Sequence, residues 1–569
     1  LTPIGGASGR NLILKWGSLD SFLVQDKFWQ DKMGKPIANK DFMLALLTHG
    51  ALDSYRFYYL DEEDLAAGRA SLEDCLPADR LARIAYATQS QLAEDAEAGE
   101  IDILHQGDFT FHAPYLMEYR AGATGAQPFA ISGLTHSLDG VKIQARLIDM
   151  LLAGPRPCDA IVCTSDCARR MLRAAFSGIA ENFKARFGAA LPEPPQLVHI
   201  PLGIADDFEQ MPERGQCRAA LGFDDGELVL LCLGRFSARR KMDLGPMLEC
   251  LQYLRALGAL PPFTLILAGG GSQSDVALTR DIVETLGLGD CVRIEANHDF
   301  AAKRQLYGAA DIFVSLVDNY QETFGLTVIE AMAHGLPAIV SEFNGYRELV
   351  HDGETGFRVP TYASADEAPW QSLAGVLDPS LLGFYRGQKV AFDFKRFAEA
   401  LTALAGNAEL RREMGGRAKR LSREYLWSRL IPRYEEMWRL QHETALKTNG
   451  DAPPNSAPPL LVPDHQRVFG HYASRVLDGQ TQVRVSDYCR ARAAENFKPI
   501  QYAAHGGRIR FAIMQALMTR LAGAPRDAPL ALGVLIEETA RDGNLPPETV
   551  MHNFDFLLKH GYIEIAAAG

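Results

Sequence analysis

None of the nine cysteines stands in a Cys-x-x-Cys pair, and nine is an odd number, so neither a zinc ribbon nor a complete disulfide framework is specified. Cys158, Cys163 and Cys167 do cluster in CDAIVCTSDC, but Cys163 falls in an apparent buried strand. They read as ordinary reduced thiols in a cytoplasmic setting. No apolar run approaches the ~18 residues of a transmembrane helix, and the amino terminus lacks the charged, apolar and cleavage regions of a signal peptide. Positive charge is scarce. Lys and Arg number 58 against 71 Asp and Glu, a net charge of −13, which argues against a protein that coats phosphate backbones. What is present is an ordinary globular balance, 47% hydrophobic and 23% charged, over 569 residues. At a prior of roughly 150 residues per domain, that length implies several cores.

Short apolar runs alternate with amphipathic helical stretches along most of the chain. NLILKW, YRFYYL, IDILHQ, FAISGL, AIVCTS and QLVHIPLG mark the first half; LVLLCLG, FTLILAGGG, CVRIEA, DIFVSLV and AIVSE mark the second. Repeated strand, helix, strand units imply a parallel sheet with helices on both faces, and two such series imply an α/β protein of two Rossmann-like domains. PLGIADDFEQMPERG interrupts the pattern between them, placing the domains at residues 1–205 and 206–446. KTNGDAPPNSAPPLLVPD reads as a semi-extended linker over 447–464. The remainder, 465–569, reads as a mostly helical accessory module. Its end, PPETVMHNFDFLLKHGYIEI, is a helix leading into a short strand and resembles a winged-helix arrangement. Near-neutral charge favours self-association or protein docking over DNA binding for this module.

QETFGLTVIEAMAHGLP, residues 321–337, is the stretch richest in chemistry. DIFVSLV is a strand, DNYQETF a loop leaving its carboxyl end, and GLTVIEAMAHG a helix closed by Gly335. Ligands of open parallel sheets lie outside the carboxyl ends of the strands, so Glu322 stands at a cleft edge. Gly325 admits close approach of backbone to a ligand, and the helix amides favour an anion such as phosphate. Glu330, about one turn into the helix, suits two hydrogen bonds from a ribose diol, and Glu322 suits sugar hydroxyls. The bland alternative is two unrelated acids on a solvated helix. LVLLCLGRFSARRKMD, residues 228–243, is a buried strand that ends at Gly234 and then presents Arg235 and Lys241. A planar fork and a point charge at a strand end suit a diphosphate. LILAGGGSQ, residues 265–273, adds Gly269 and Gly271 where a nucleotide has room to approach.

GRFSARRK together with ETFGLTVIEAMAHGLPAIVSEFNGYRELVHDGETGF resembles glycosyltransferase family 4, retaining enzymes of the GT-B fold. The resemblance covers about residues 10–445, and the second string is also similar to the sucrose synthase and sucrose-phosphate synthase branch. It implies two Rossmann-like domains facing across a cleft, with the last helix of the second crossing back to the first. It also implies a nucleoside-diphosphate sugar as donor, no cofactor or metal, and front-face substitution through an oxocarbenium-like state. Arg235 and Lys241 then hold the diphosphate, Glu330 the ribose, and Glu322 with Thr323, Phe324, Gly325 and Leu326 the sugar and phosphates. PFAISGLTHSL is similar to the strand end that gives the family its active-site histidine, so His136 takes that place. His105 in IDILHQGDF falls on another such strand end, on the acceptor side. Two departures stand out: GKPIANKDFMLALL has only Gly34 where many members carry Gly-Gly, and Gly345-Tyr346 replaces a double Gly in FNGYREL. The acceptor stays open among glycan, lipid-linked and protein substrates.

Rival readings make separate demands. A phosphorylase on the same fold would share these residues. A glycosidase would need its carboxylates across the scissile bond and has no use for a diphosphate clamp. A binding scaffold whose terminal module is the working part would bind no nucleotide sugar. One further stretch, ARRMLRAAFSGIAENFKARFGAAL, sets Leu172, Phe176, Phe183 and Phe187 on one side with Arg and Lys elsewhere. This pattern suits peripheral contact with an anionic membrane or an ordinary helix facing its own sheet, the latter being preferred.

Overall fold

The computed structural model describes residues 14–19, 34–123, 127–209, 213–297, 300–365, 372–448, 459–493, 500, 502, 505, 508–525 and 528–566. Most of the 447–464 linker reading therefore lies outside the described residues. The chain divides into two compact units. The larger comprises 1–57, 73–85 and 95–461, and the smaller comprises 58–72, 86–94 and 462–569. Two stretches inside the span read as the first domain thus group with the carboxy-terminal module. Within the smaller unit, Tyr59 and Tyr86 stack at 6.3 Å, Arg69 lies over the Tyr86 ring, and Arg508 Nη2 donates to the Ser90 carbonyl at 2.8 Å. No local sequence pattern reports such links.

Seven strands make the first sheet: β1 (Lys15–Ser18), β2 (Ser54–Tyr59), β3 (Ile84–Thr88), β4 (Ile103–Gln106), β5 (Ala130–Leu134), β6 (Ala160–Cys163) and β7 (Gln196–His199). Their order is β3-β2-β1-β4-β5-β6-β7, and the ladders from β2 to β7 are parallel. Six more make the second: β8 (Leu228–Leu233), β9 (Phe263–Gly269), β10 (Val292–Ala296), β11 (Ile312–Ser315), β12 (Ala338–Ser341) and β13 (Gly356–Val359). That sheet is parallel in the order β10-β9-β8-β11-β12-β13. Every residue of β8, β11 and β12 is buried, because helices cover both faces and only Val, Ile, Leu, Phe, Ala, Cys and Ser are found there. The two-domain α/β plan read from the sequence is the one observed. Within these two sheets, two strands were not anticipated, β3 and β13, and each lies at a sheet edge. A two-stranded pair, β14 (Thr361–Ala363) with β15 (Val390–Phe392), follows.

The chain passes between the sheets at Ile204 and again at Tyr425–Trp427, where Ile204 N donates to Tyr425 O (2.9 Å) and Trp427 N to Ile204 O (3.0 Å). The helix Trp427–Thr448 then lies against the first sheet: Trp438 Nε1 reaches Ser132 Oγ at 3.3 Å and Gln441 Nε2 the Cys158 carbonyl at 2.7 Å. The helix Asp166–Phe187 buries Leu172, Phe176 and Ile179, but Phe187 is 70% exposed, so its apolar stripe faces the sheet only through the first turns. Among the described residues no helix is long and apolar enough to cross a membrane.

The smaller unit has its own core of Leu517, Leu535, Val550, Phe554 and Ile563. Helices Phe511–Gly523, Leu532–Gly543 and Pro547–Lys559 pack beside an antiparallel sheet of β16 (Gln482–Val485), β17 (Leu530–Ala531) and β18 (Ile563–Ile565), in the order β17-β16-β18.

Candidate functional site

In the second sheet the strand order reverses between β8 and β11, which pair at Leu230↔Ile312 and Leu231↔Phe313. The loops leaving their carboxyl ends open a crevice there, where ligands of doubly wound sheets bind. β8 delivers Arg235 and Lys241; β11 delivers the loop 316–325 and the helix Leu326–Ala333. The two motifs, far apart in the chain, therefore meet.

They meet as an ion pair. Lys241 Nζ bonds the Glu322 carboxylate and donates to Tyr346 Oη at 3.1 Å. Burial would lower the lysine pKa, but Glu322 and Tyr346 more than offset it and the ammonium is held above its ordinary range. Burial would likewise raise the Glu322 pKa. Lys241, the Phe324 amide (3.2 Å to Oε1) and Arg235 outweigh that and hold the carboxyl below its usual range. Both groups are charged, and the lysine end is steadied by Tyr346, whose hydroxyl also lies 3.2 Å from Ser315 Oγ at the end of β11. Arg235 is half-buried beside the pair, with Nη2 3.3 Å from the Arg240 carbonyl.

Glu330 has a parallel arrangement. Its Oε1 accepts from Lys303 Nζ at 2.6 Å and its Oε2 from Tyr307 Oη at 2.8 Å. Lys303 and Tyr307 lie four residues apart on the helix Phe300–Ala309, so both face one way. Each carboxylate of the motif is thus held by one lysine and bordered by one tyrosine network. Lys303 and Tyr307 were not among the residues picked out in the sequence, where the four-residue spacing in KRQLY was the available signal; Tyr346 was noted only as standing where a glycine is common, without a role beside Lys241.

Gly325 precedes the helix with φ +119°, and a Cβ there would sit 2.5 Å from the Tyr346 ring. The residue is required by backbone geometry and by packing together, beyond any need for ligand approach. Gly269 has φ +151°, and a Cβ would fall 1.8 Å from the Gly234 carbonyl oxygen; at Gly271 it would meet Phe236 Cβ at 2.9 Å. Close packing of the β8 and β9 ends therefore accounts for glycine at 269 and 271. A further acid escaped notice: Asp318, where burial pushes the carboxyl up to about 8, accepts from Asp243 N at 3.2 Å.

From the first sheet, His136 follows β5. Its Nε2 donates to the Gly107 carbonyl at 2.7 Å, with Asn39 Oδ1 at 2.9 Å, so the proton sits on Nε2. Its carbonyl accepts from Thr323 Oγ1 at 3.2 Å, which brings His136 beside the residue that follows Glu322. His105 is a different case and corrects the acceptor-side expectation. It is fully buried among Trp16, Phe42, Tyr434 and Trp438, with Nδ1 2.8 Å from Ser132 Oγ, and burial lowers its pKa to about 3. The helix Trp427–Thr448 covers it, and a strand-end pattern carries no record of that cover.

Two facing doubly wound sheets joined by a doubled crossing, with a basic and acidic cluster at the strand switch, define the GT-B class. Residues 213–373 match the family described as glycosyl transferases group 1. The D-inositol 3-phosphate glycosyltransferase of Actinosynnema mirum is 29% identical over 222 residues, covering 38% of this chain and 53% of the relative. That of Mycobacterium sp. (strain KMS) is 30% identical over 179 residues, covering 31% and 38%. The chain therefore spans about half or less of the curated relatives it matches. In fold, HepE of Anabaena solved in complex with UDP has a TM-score of 0.50 at 14% identity, covering 75% of this chain and 100% of that one. A glycosyltransferase from Rickettsia africae ESF-5 has 0.50 at 13%, covering 76% and 99%. These findings bear out the resemblance to GT-B glycosyltransferases read from the sequence.

Proposed function

We propose that the chain is a retaining glycosyltransferase that moves a sugar from a nucleoside-diphosphate sugar to an acceptor hydroxyl on a glycan, a lipid-linked carrier or a protein. The observation that carries this reading is the Lys241 and Glu322 pair at the carboxyl ends of β8 and β11, flanked by Arg235 and the start of the helix Leu326–Ala333. Donor binding exchanges partners. Diphosphate oxygens take the Lys241 ammonium, Arg235 and the backbone at Thr323 to Leu326, while Glu322 turns to the sugar hydroxyls and Glu330 to the ribose. The bond from the anomeric carbon to the diphosphate breaks with its electron pair on the leaving oxygen. The acceptor oxygen bonds on the same face, and its proton passes to that diphosphate oxygen. Fixed cations aimed at the developing charge lower the barrier without reorganisation. His136 faces this reaction from the first sheet. Relatives named as D-inositol 3-phosphate glycosyltransferases support glycosyl transfer, and a fold neighbour solved with UDP supports a nucleotide donor.

A thermal-shift and hydrolysis screen against UDP-, GDP-, ADP- and dTDP-sugars tests the proposal. One donor is expected to raise the melting temperature and to be hydrolysed slowly. Binding of none would favour the scaffold reading, and formation of a sugar 1-phosphate from inorganic phosphate would favour the phosphorylase.

For the smaller unit the reading is self-association or protein docking. The exposed polar side chains of the helix Pro547–Lys559 are Glu548, His552, Asp555 and Lys559, a mixed face that favours no phosphate backbone.

A further inference from the structure

The first turn of the helix Asp166–Phe187, which belongs to the first sheet, is closed by a residue of the second. Asp166 N donates to Glu348 Oε2 at 2.8 Å and Cys167 N to Glu348 Oε1 at 2.9 Å, so one carboxylate takes two successive amides. The third, Ala168 N, goes to the N-cap Ser165 Oγ at 3.0 Å. Ser165 Oγ in turn donates across to the Thr323 carbonyl at 2.7 Å, and Thr323 Oγ1 donates back to the His136 carbonyl at 3.2 Å. Every bond between the sheets in this group involves either Glu348 or Thr323, the residue next to Glu322.

From this geometry we infer that Glu348 is a positioning residue: with Thr323 it clasps the two sheets in the closed arrangement, so that closing the cleft and seating the Glu322 loop are one event. The clasp is polar by design. A carboxylate at a helix amino terminus gains charge-assisted bonds and a favourable dipole, yet when the sheets part both sides are readily hydrated. Such contacts hold a state without locking it, as a cleft that must admit donor and acceptor requires. Glu348 sits in the short helix Tyr346–Leu349, which also carries Tyr346, the partner of Lys241. The same four residues therefore touch the proposed diphosphate cation on one side and the opposing sheet on the other. Among the described residues the charged side chain paired with Glu348 is His199, whose Nε2 lies 4.0 Å from Glu348 Oε2, while Asp166 is engaged by Arg169 and Arg170 on its own helix.

What the closed cleft accomplishes rests on the glycosyltransferase reading; the clasp itself does not. The test uses the full chain with Glu348→Ala, Glu348→Gln and Thr323→Val, comparing small-angle scattering without ligand, calorimetric titration with UDP, GDP, ADP and dTDP in turn, and steady-state transfer. Glu348→Ala should enlarge the radius of gyration and lower kcat on the order of 10- to 100-fold through misplacement of His136 against the donor. Nucleotide affinity should stay near wild type, because the diphosphate cations belong to the second sheet alone. Glu348→Gln, which keeps an acceptor oxygen, should fall between, and Thr323→Val should shift kcat in the same direction by less. An unchanged radius and kcat in Glu348→Ala, or an equal loss of nucleotide affinity, would overturn the inference. If the wild type binds none of the four nucleotides, the donor reading fails while the scattering comparison still decides the clasp.

Discussion

Lys241 and Glu322 each make the other's burial tolerable. Desolvation opposes both charges, and their mutual bond reverses the outcome for both, so removing either leaves an uncompensated ion. Lys241→Met is expected to cut turnover on the order of 100-fold and to cost roughly 3 kcal/mol of stability. Arg235→Ala should match the loss of turnover with little loss of stability, since Arg235 is half-buried beside the pair. The sign of the pH effect follows from the lowered Glu322 pKa. Its stabilisation is present above the ordinary glutamate value and is lost as pH falls through the lowered one, so Lys241→Met should remove that acid limb. Denaturant unfolding across pH, alongside donor hydrolysis, checks all three statements; full turnover in both variants would end the diphosphate-clamp assignment.

At the scale of elements, the helix Leu326–Ala333 depends on Gly325 for its start and on the Tyr346 ring for its seat. Gly325→Ala forces a side chain into positive φ and against that ring, a strain of about 1–3 kcal/mol. Because Tyr346 Oη also holds Lys241, nucleotide affinity should fall with stability. Tyr346→Phe keeps the ring and loses only the hydroxyl, and should spare stability better than Gly325→Ala does. Melting curves and nucleotide titrations of the two variants separate packing from charge placement. Elements also differ in how plainly they were written. Central strands such as β8, LVLLCL, are buried on both faces and read as unbroken apolar runs. The edge strands β3, IAYAT, and β13, GFRV, pass unnoticed because partial burial relaxes their composition.

The whole molecule divides unevenly: residues 58–72 and 86–94 are in one compact unit with 462–569. If that grouping is energetic, a chain truncated after residue 448 should lose amide protection over 58–72 and 86–94 while β8 to β13 keep theirs. Hydrogen exchange of the intact and truncated chains gives the answer. Equal protection in both would show that those segments are held without the carboxy-terminal part.

Local physics wrote much of this protein into its sequence. Apolar runs specified the central strands of both sheets, Gly and the charge types marked the strand ends, and the spacing within the Arg235–Lys241 and Glu322–Glu330 motifs marked a candidate site, because each of these depends on neighbours a few residues away. Tertiary structure alone decided the rest. Lys241 and Glu322 are 81 positions apart, and only the parallel ladder of β8 with β11 makes them an ion pair. His105 lies at a strand end by pattern, yet Trp438 of a helix more than 300 residues later turns it into core. Glu348 reads as one more surface acid until the helix Asp166–Phe187, 181 residues earlier, brings its amides to the carboxylate. Hydrogen bonds and desolvation act through space, and separation along the chain carries no record of which distant groups will share it.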